Sequence, residues 1–271
     1  MVDALAPDRI GQRLRDAEQQ QRAALIGYLV AGDPDLETTE LVIAAVAAAG
    51  LDVLELGIPY GDPLADGPTI AAAGQRALAA GANLESTFGL VERLHQLVPI
   101  ILFTYFNPVF HFGVDKFAEK AADAGASGVI IPDITLEEID EVRGSLRSRR
   151  LAFPLLVSPT TEPDRAGRIA ATSDGFVYLV SRLGVTGEGI GPDLSWLRGQ
   201  VERMRKVTDK PLAVGFGIST PAQVASVASW SDGVIVGSGL VSSYAGSSGR
   251  EAARLAGSYV RSLVAPLAKV S

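Results

Sequence analysis

Short, almost wholly apolar runs recur along the chain and alternate with longer stretches in which Ala and Leu are interleaved with Glu, Arg and other polar residues. The apolar runs lie at 24–30, 53–57, 100–105, 128–131, 152–157, 175–180, 212–215 and 233–236, and they predict eight strands. They are nearly continuous rather than alternating, as parallel strands covered on both faces must be. Between them, 36–49 (LETTELVIAAVAAA), 86–97, 115–124, 136–150 and 221–229 predict helices. Eight such βα units with short connections close into a barrel more readily than into an open sheet. The expected fold class is therefore α/β, a single (β/α)8 TIM barrel, with 9–22 as an extra N-terminal helix capping its floor. Barrels of this kind run to roughly 250 residues as one unit. The 271 residues, without any Pro/Gly-rich linker, accordingly predict one domain over 1–271.

Composition narrows the chemistry. Hydrophobic residues make up 47% and aromatics only 6%, so a large core must be built from Ala, Val, Leu and Ile. A net charge of −7 argues against nucleic acid or an anionic membrane as the main partner. The absence of cysteine removes thiol nucleophiles, Cys-ligated metals and disulfides together. The opening MVDALAPDRIGQRL carries charges where a signal peptide needs an apolar run, and no stretch of ~18 apolar residues follows, so the cytoplasm is the expected location. Lys116, Lys120, Lys206, Lys210 and Lys269 fall on helical stretches or their connections rather than just after a strand, which disfavours a Schiff base. His95 and His111 have no partners at metal spacing.

In a barrel the chemistry sits on the loops that follow the strands. After the seventh strand comes Gly215-Phe216-Gly217-Ile218-Ser219 and after the eighth Gly237-Ser238-Gly239, while 182–192 after the sixth carries Thr186-Gly187 and two further glycines. Glycines admit backbone N–H groups close to an anion, and a following helix start adds its dipole. This end is expected to hold phosphate.

The second strand contains a charge. Glu55 lies between Leu54 and Leu56 and shares a face with Val53 and Gly57. If that face points into the barrel, Glu55 is desolvated and its proton held more tightly, with the small Gly57 leaving room for a ligand. Asp62 and Asp66 follow on the next loop. After the third strand, the loop 103–112 gathers five of the chain's seventeen aromatics, which implies a flat apolar ligand, a protein interface, or both, with ordinary core packing under the loop as the alternative. What remains is carboxylate acid–base chemistry on a phosphorylated substrate with an apolar portion. On residues alone, another sugar-phosphate barrel enzyme or a non-catalytic glycerol-phosphate sensor stays open, although the former typically needs a catalytic Lys or Cys that this chain lacks.

The run ELGIPYGDPLADGPTI resembles the signature of the tryptophan synthase alpha subunit family, and YLVSRLGVTG, VGFGIS and VGSGLV resemble that family's sixth, seventh and eighth loops in order. Tyr60-Gly61 stands where the family usually shows Phe-Ser. The resemblance implies retro-aldol cleavage of indole-3-glycerol phosphate to indole and glyceraldehyde 3-phosphate. It places catalytic roles on Glu55 and Asp66 and substrate contacts on Tyr178 and Thr186. Phosphate contacts fall on Gly187, Phe216, Gly217, Gly237 and Ser238, and pocket positions on Tyr28, Phe103 and Tyr105. It further implies a pyridoxal-phosphate-dependent beta subunit as partner in an α2β2 heterotetramer, met through the loop of Asp62 and Pro63, with no cofactor in this chain. The loop 182–192 is then expected to act as a lid.

Overall fold

The computed structural model describes residues 8–180, 194–215 and 217–269. Eight parallel strands, β1 (Ala24–Val30), β2 (Val53–Gly57), β3 (Ile100–Phe103), β4 (Gly128–Ile130), β5 (Leu155–Val157), β6 (Val177–Val180), β7 (Leu212–Gly215) and β8 (Gly233–Val236), pair in the order β4-β3-β2-β1-β8-β7-β6-β5. The ring closes between β4 and β5 through a thin seam: Gly128 bridges Ala152, Val129 N–H donates to Ala152 O at 2.9 Å, and Ala152 N–H donates to Ser127 O at 3.1 Å. Pro154, which has no N–H to give, accounts for it, since the strand expected at 152–157 pairs regularly only from Leu155. The strand expected at 100–105 stops at Phe103, where the chain turns through Thr104 and Tyr105 into a helix.

Why the strands read as continuous apolar runs is visible in how their side chains divide. Ile26, Tyr28 and Val30 of β1, Val53 of β2, Ile101 and Phe103 of β3, and Ile235 of β8 fill the barrel interior. Their immediate neighbours Leu25, Leu29, Leu54, Leu56, Ile100 and Leu102 belong to a separate outer cluster under the helices. Both faces are buried, so both are almost wholly apolar.

The outer layer is α2 (Leu36–Ala48), α3 (Pro68–Ala79), α4 (Leu84–Leu94), α5 (Phe106–Phe112), α6 (Val114–Asp123), α7 (Asp140–Ser148), α8 (Pro163–Thr172), α9 (Leu194–Met204), α10 (Pro221–Ala228), α11 (Ser238–Ser243) and α12 (Gly249–Val264), with α12 packed along α2. Local chemistry sets several starts: Asp35 caps α2 by accepting from Thr38 N–H at 2.7 Å, Asn83 and Thr220 form capping boxes on α4 and α10, and Pro68 opens α3. The helix expected at 136–150 begins only at Asp140, because Thr135 to Glu138 form a separate hydrogen-bonded turn. At the floor, α1 (Arg9–Gln19) buries Ile10, Leu14 and Ala17 in the interior cluster, and Ile10 lies against Gly128 and Gly175 beside the amino ends of β4 and β6. The capping helix expected there is in place.

Candidate active site

Glu55 is on the inner row of β2, in register with Tyr28 of β1 and Ile101 of β3, and is 1% exposed. Its Oε1 is buried without a hydrogen-bond partner among the described residues. Burial favours the uncharged acid and raises this carboxyl to about 8, so it is mainly protonated at neutral pH. The room expected above Glu55 at Gly57 is taken: a Cβ there would stand 2.2 Å from Tyr28 Oη, so the glycine accommodates the Tyr28 ring. Gly215 of β7 does the same for Tyr178, whose Oη would lie 2.5 Å from a Cβ. Two buried tyrosines thus lean across neighbouring strands, and burial, reinforced by nearby acidic groups, holds both hydroxyl protons well above the usual tyrosine range.

Asp66 approaches from the loop between β2 and α3. Tyr105, the residue before α5, donates its hydroxyl hydrogen to Asp66 Oδ1 at 3.1 Å and accepts from Ala65 N–H at 3.0 Å. One phenol therefore fixes both the carboxylate and the loop that carries it. The surroundings are less polar than the loop's sequence suggests: burial raises Asp66 to about 6, against the lowering effect of the Tyr105 hydrogen bond. The order is nonetheless clear, with Asp66 mainly ionised at neutral pH where Glu55 is not. Two carboxyls held in contrasting states at one site are a recurrent acid–base arrangement.

Both carboxyls line one cavity at the carboxyl ends of the strands, together with Tyr28, Phe103 and Tyr178. Gly217, Gly237 and Ser238 form its far wall. Gly217 sits at φ +81°, a conformation that suits glycine. Gly237 precedes α11, whose first intrahelical bond is Val241 N–H to Gly237 O, so the amides of 238–240 are not consumed within the helix. Of the site residues expected from sequence, Thr186, Gly187 and Phe216 lie outside the described residues, as does the loop 182–192. Tyr105 does not line the cavity; it serves the site through Asp66. Ile70 and Ile235 also line it and were missed. Ile235 was recoverable from the alternation of β8, whereas Ile70 depends on where α3 lands.

The segment 103–112 is not a loop as expected but mostly helix α5, and its aromatics divide by role. Phe103 enters the cavity, Phe106 and Phe112 pack on the outer core, and Phe110 is 66% exposed. Leu64, beside exposed Asp62 and half-buried Pro63, is 71% exposed on the same end of the barrel. Asn107 Nδ2 donates to Tyr60 Oη at 2.9 Å, and the Tyr60 ring lies 5.7 Å from that of Tyr105, so these two exposed segments are joined above Asp66. A larger cleft opens at the opposite end, between Arg9, His95, Arg147 and Gly175. It lies at the amino ends of the strands and holds neither Glu55 nor Asp66, and that end of a barrel serves stability rather than chemistry. Among the described residues no cluster of His, Cys, Asp and Glu could hold a metal ion, and no helix is long and apolar enough to cross a membrane.

The family model described as "Tryptophan synthase alpha chain" matches residues 14–263. Curated proteins of that name are similar over most of the chain. The one from Picosynechococcus sp. is 49% identical over 235 residues, covering 86% of this chain and 89% of its own. That from Methanosarcina acetivorans is 50% identical over 233 residues, covering 85% and 84%. Among solved structures, a chain of Mycobacterium tuberculosis tryptophan synthase superposes with a TM-score of 0.89 at 35% identity, covering 97% of this chain and 99% of its own.

Proposed function

Because the chain belongs to the tryptophan synthase alpha chain family, we propose that Glu55 and Asp66 carry out that family's reaction, cleavage of indole-3-glycerol phosphate to indole and glyceraldehyde 3-phosphate. The chain is a lyase of tryptophan biosynthesis. The observation that supports the residue assignment is the pairing, in one cavity, of a carboxyl held protonated to about 8 with one ionised above about 6.

Breaking the bond between indole C3 and the glycerol carbon needs an electron sink. The indole ring supplies it once C3 is protonated, because the ring then becomes an iminium. Glu55, protonated and facing the cavity, gives that proton. Asp66 faces the ring N–H and stabilises the positive charge that develops there. The glycerol hydroxyl then loses its proton, for which the Glu55 carboxylate just formed is the acceptor. The C–C electrons return to the ring, releasing indole and the aldehyde with no net change in protons. Tyr28, Phe103 and Tyr178 give the indole its apolar walls. The backbone at Gly217 and Gly237-Ser238 takes the phosphate, joined by Phe216 and Gly187, with Thr186 as a further substrate contact, from segments outside the described residues.

The family name implies a beta-subunit partner. We assign the contact face to Asp62, Pro63, Leu64 and the exposed side of α5, where Phe110 would otherwise remain bare. The assembly is an α2β2 heterotetramer in the cytoplasm, and pyridoxal phosphate belongs to the beta subunit, which consumes the indole. The test is to incubate the purified chain with indole-3-glycerol phosphate, with and without the beta subunit, and quantify both products. Equal amounts of indole and glyceraldehyde 3-phosphate are expected from the chain alone, and faster release of glyceraldehyde 3-phosphate with the partner present. No cleavage in either case overturns the assignment.

A further inference from the structure

The geometry points to Tyr259, on the C-terminal helix α12 and far from the carboxylates, as the positioning residue of the phosphate site, an inference that rests on the phosphate reading above. Its hydroxyl donates to Ser219 O at 2.7 Å, on the loop after β7 that carries Gly217. The same hydroxyl lies against Gly239 in the first turn of α11: a Cβ built there would stand 2.3 Å from it and 2.8 Å from Ser219 Cβ. One phenol therefore touches both loops that wall the phosphate end, and sets the distance between them. The residue is half-buried, and burial pushes its hydroxyl up to about 12, so it remains a neutral donor over the working range.

The loop after β7 has a second anchor. Gln223 Oε1 accepts from both Ser219 N–H (3.0 Å) and Thr220 N–H (3.1 Å), tying the loop to α10. Gln223 fixes the loop to its own helix, whereas Tyr259 relates it to α11. An anion held by amides from two loops is sensitive to their separation, because each N–H must point at the same oxygens. Gly239 is accordingly constrained by crowding rather than by backbone conformation: its φ is not in the left-handed region, yet even a methyl group has no space beside Tyr259 and Ser219.

Tyr259 touches no reacting atom, so its loss should weaken phosphate binding without altering the chemical step. In Tyr259→Phe, KM for indole-3-glycerol phosphate is expected to rise about fivefold, the equivalent of one neutral hydrogen bond, with kcat within about twofold of wild type. Affinity for glycerol phosphate and for inorganic phosphate, measured calorimetrically, should fall in parallel. Gly239→Ala, which keeps the hydroxyl and displaces it, should move the same quantities in the same direction, and it carries the test alone if Tyr259→Phe does not fold. Unchanged KM and phosphate affinities, or a loss confined to kcat, overturn the role of Tyr259. If the wild-type chain itself binds neither phosphate probe, the phosphate reading fails first, an outcome distinguishable from failure of Tyr259 alone.

Discussion

Replacing Tyr105 by Phe removes one oxygen and two contacts, the hydrogen bond to Asp66 Oδ1 and the one accepted from Ala65 N–H. The first holds the Asp66 carboxylate down while burial pushes it up, the balance standing at about 6. Hydrogen bonds to charged groups contribute roughly 1.5–3 kcal/mol. Asp66 is only partly buried, so the lower end applies, and about 1.4 kcal/mol corresponds to one pKa unit. Without Tyr105 the group should therefore titrate near pH 7. Since Asp66 works ionised, activity lost on acidification should be lost sooner, and the acid limb of kcat/KM should move up by about one unit. The alkaline limb, set by Glu55 at about 8, should stay in place, so the active window narrows from its acid side. The assay is indole release from indole-3-glycerol phosphate under kcat/KM conditions across pH. An acid limb that stays put or moves down refutes the link between Tyr105 and Asp66.

Asp66→Asn should reduce turnover at every pH while glycerol phosphate binds as before, checked by calorimetry; loss of phosphate binding instead would make Asp66 a structural loop residue. Gly237→Val should raise KM and weaken glycerol phosphate binding together. A Cβ there meets nothing closer than 3.5 Å, so the effect reports blocked ligand approach rather than strain, and normal phosphate affinity would place the anion elsewhere. Glu55→Gln should flatten part of the stability profile. Glu55 keeps its proton to about 8 when folded but loses it near ~4.3 when unfolded, so the folded state binds the extra proton between these values and stability falls as pH rises through them. The variant's gain in thermal midpoint over wild type should grow from acid to alkaline pH; a constant offset would contradict the burial argument.

How far the sequence could be read depended on the kind of information each feature needs. Strand positions were legible because burial on both faces forces a continuous apolar run, and the β1, β2, β7 and β8 bounds coincide with the observed ones. Ends failed where local chemistry overrode the pattern, as with Pro154 at the seam and the Thr135 turn before α7. Glu55 stood out because a charge in such a run is costly unless it is paired or protonated, and the barrel topology then turned it inward. Spacing could not show that Gly57 makes room for Tyr28, because that depends on which way a ring on the neighbouring strand leans. Nor could it show that Tyr105 turns to Asp66 or that Tyr259 reaches the loops after β7 and β8, contacts made across 39 and 40 residues of chain and fixed only by packing.

The central claim is that a protonated Glu55 drives the cleavage, and the most direct test is the pH dependence of indole-3-glycerol phosphate cleavage by wild type and Glu55→Gln at saturating substrate. Gln fills the same space but cannot transfer a proton, so the rate should fall about a hundredfold or more while glycerol phosphate affinity is kept. The wild type should lose activity as pH rises through the region of about 8, and the variant's residual rate should lack that limb. A variant that retains the wild-type rate and the wild-type alkaline limb would contradict the account.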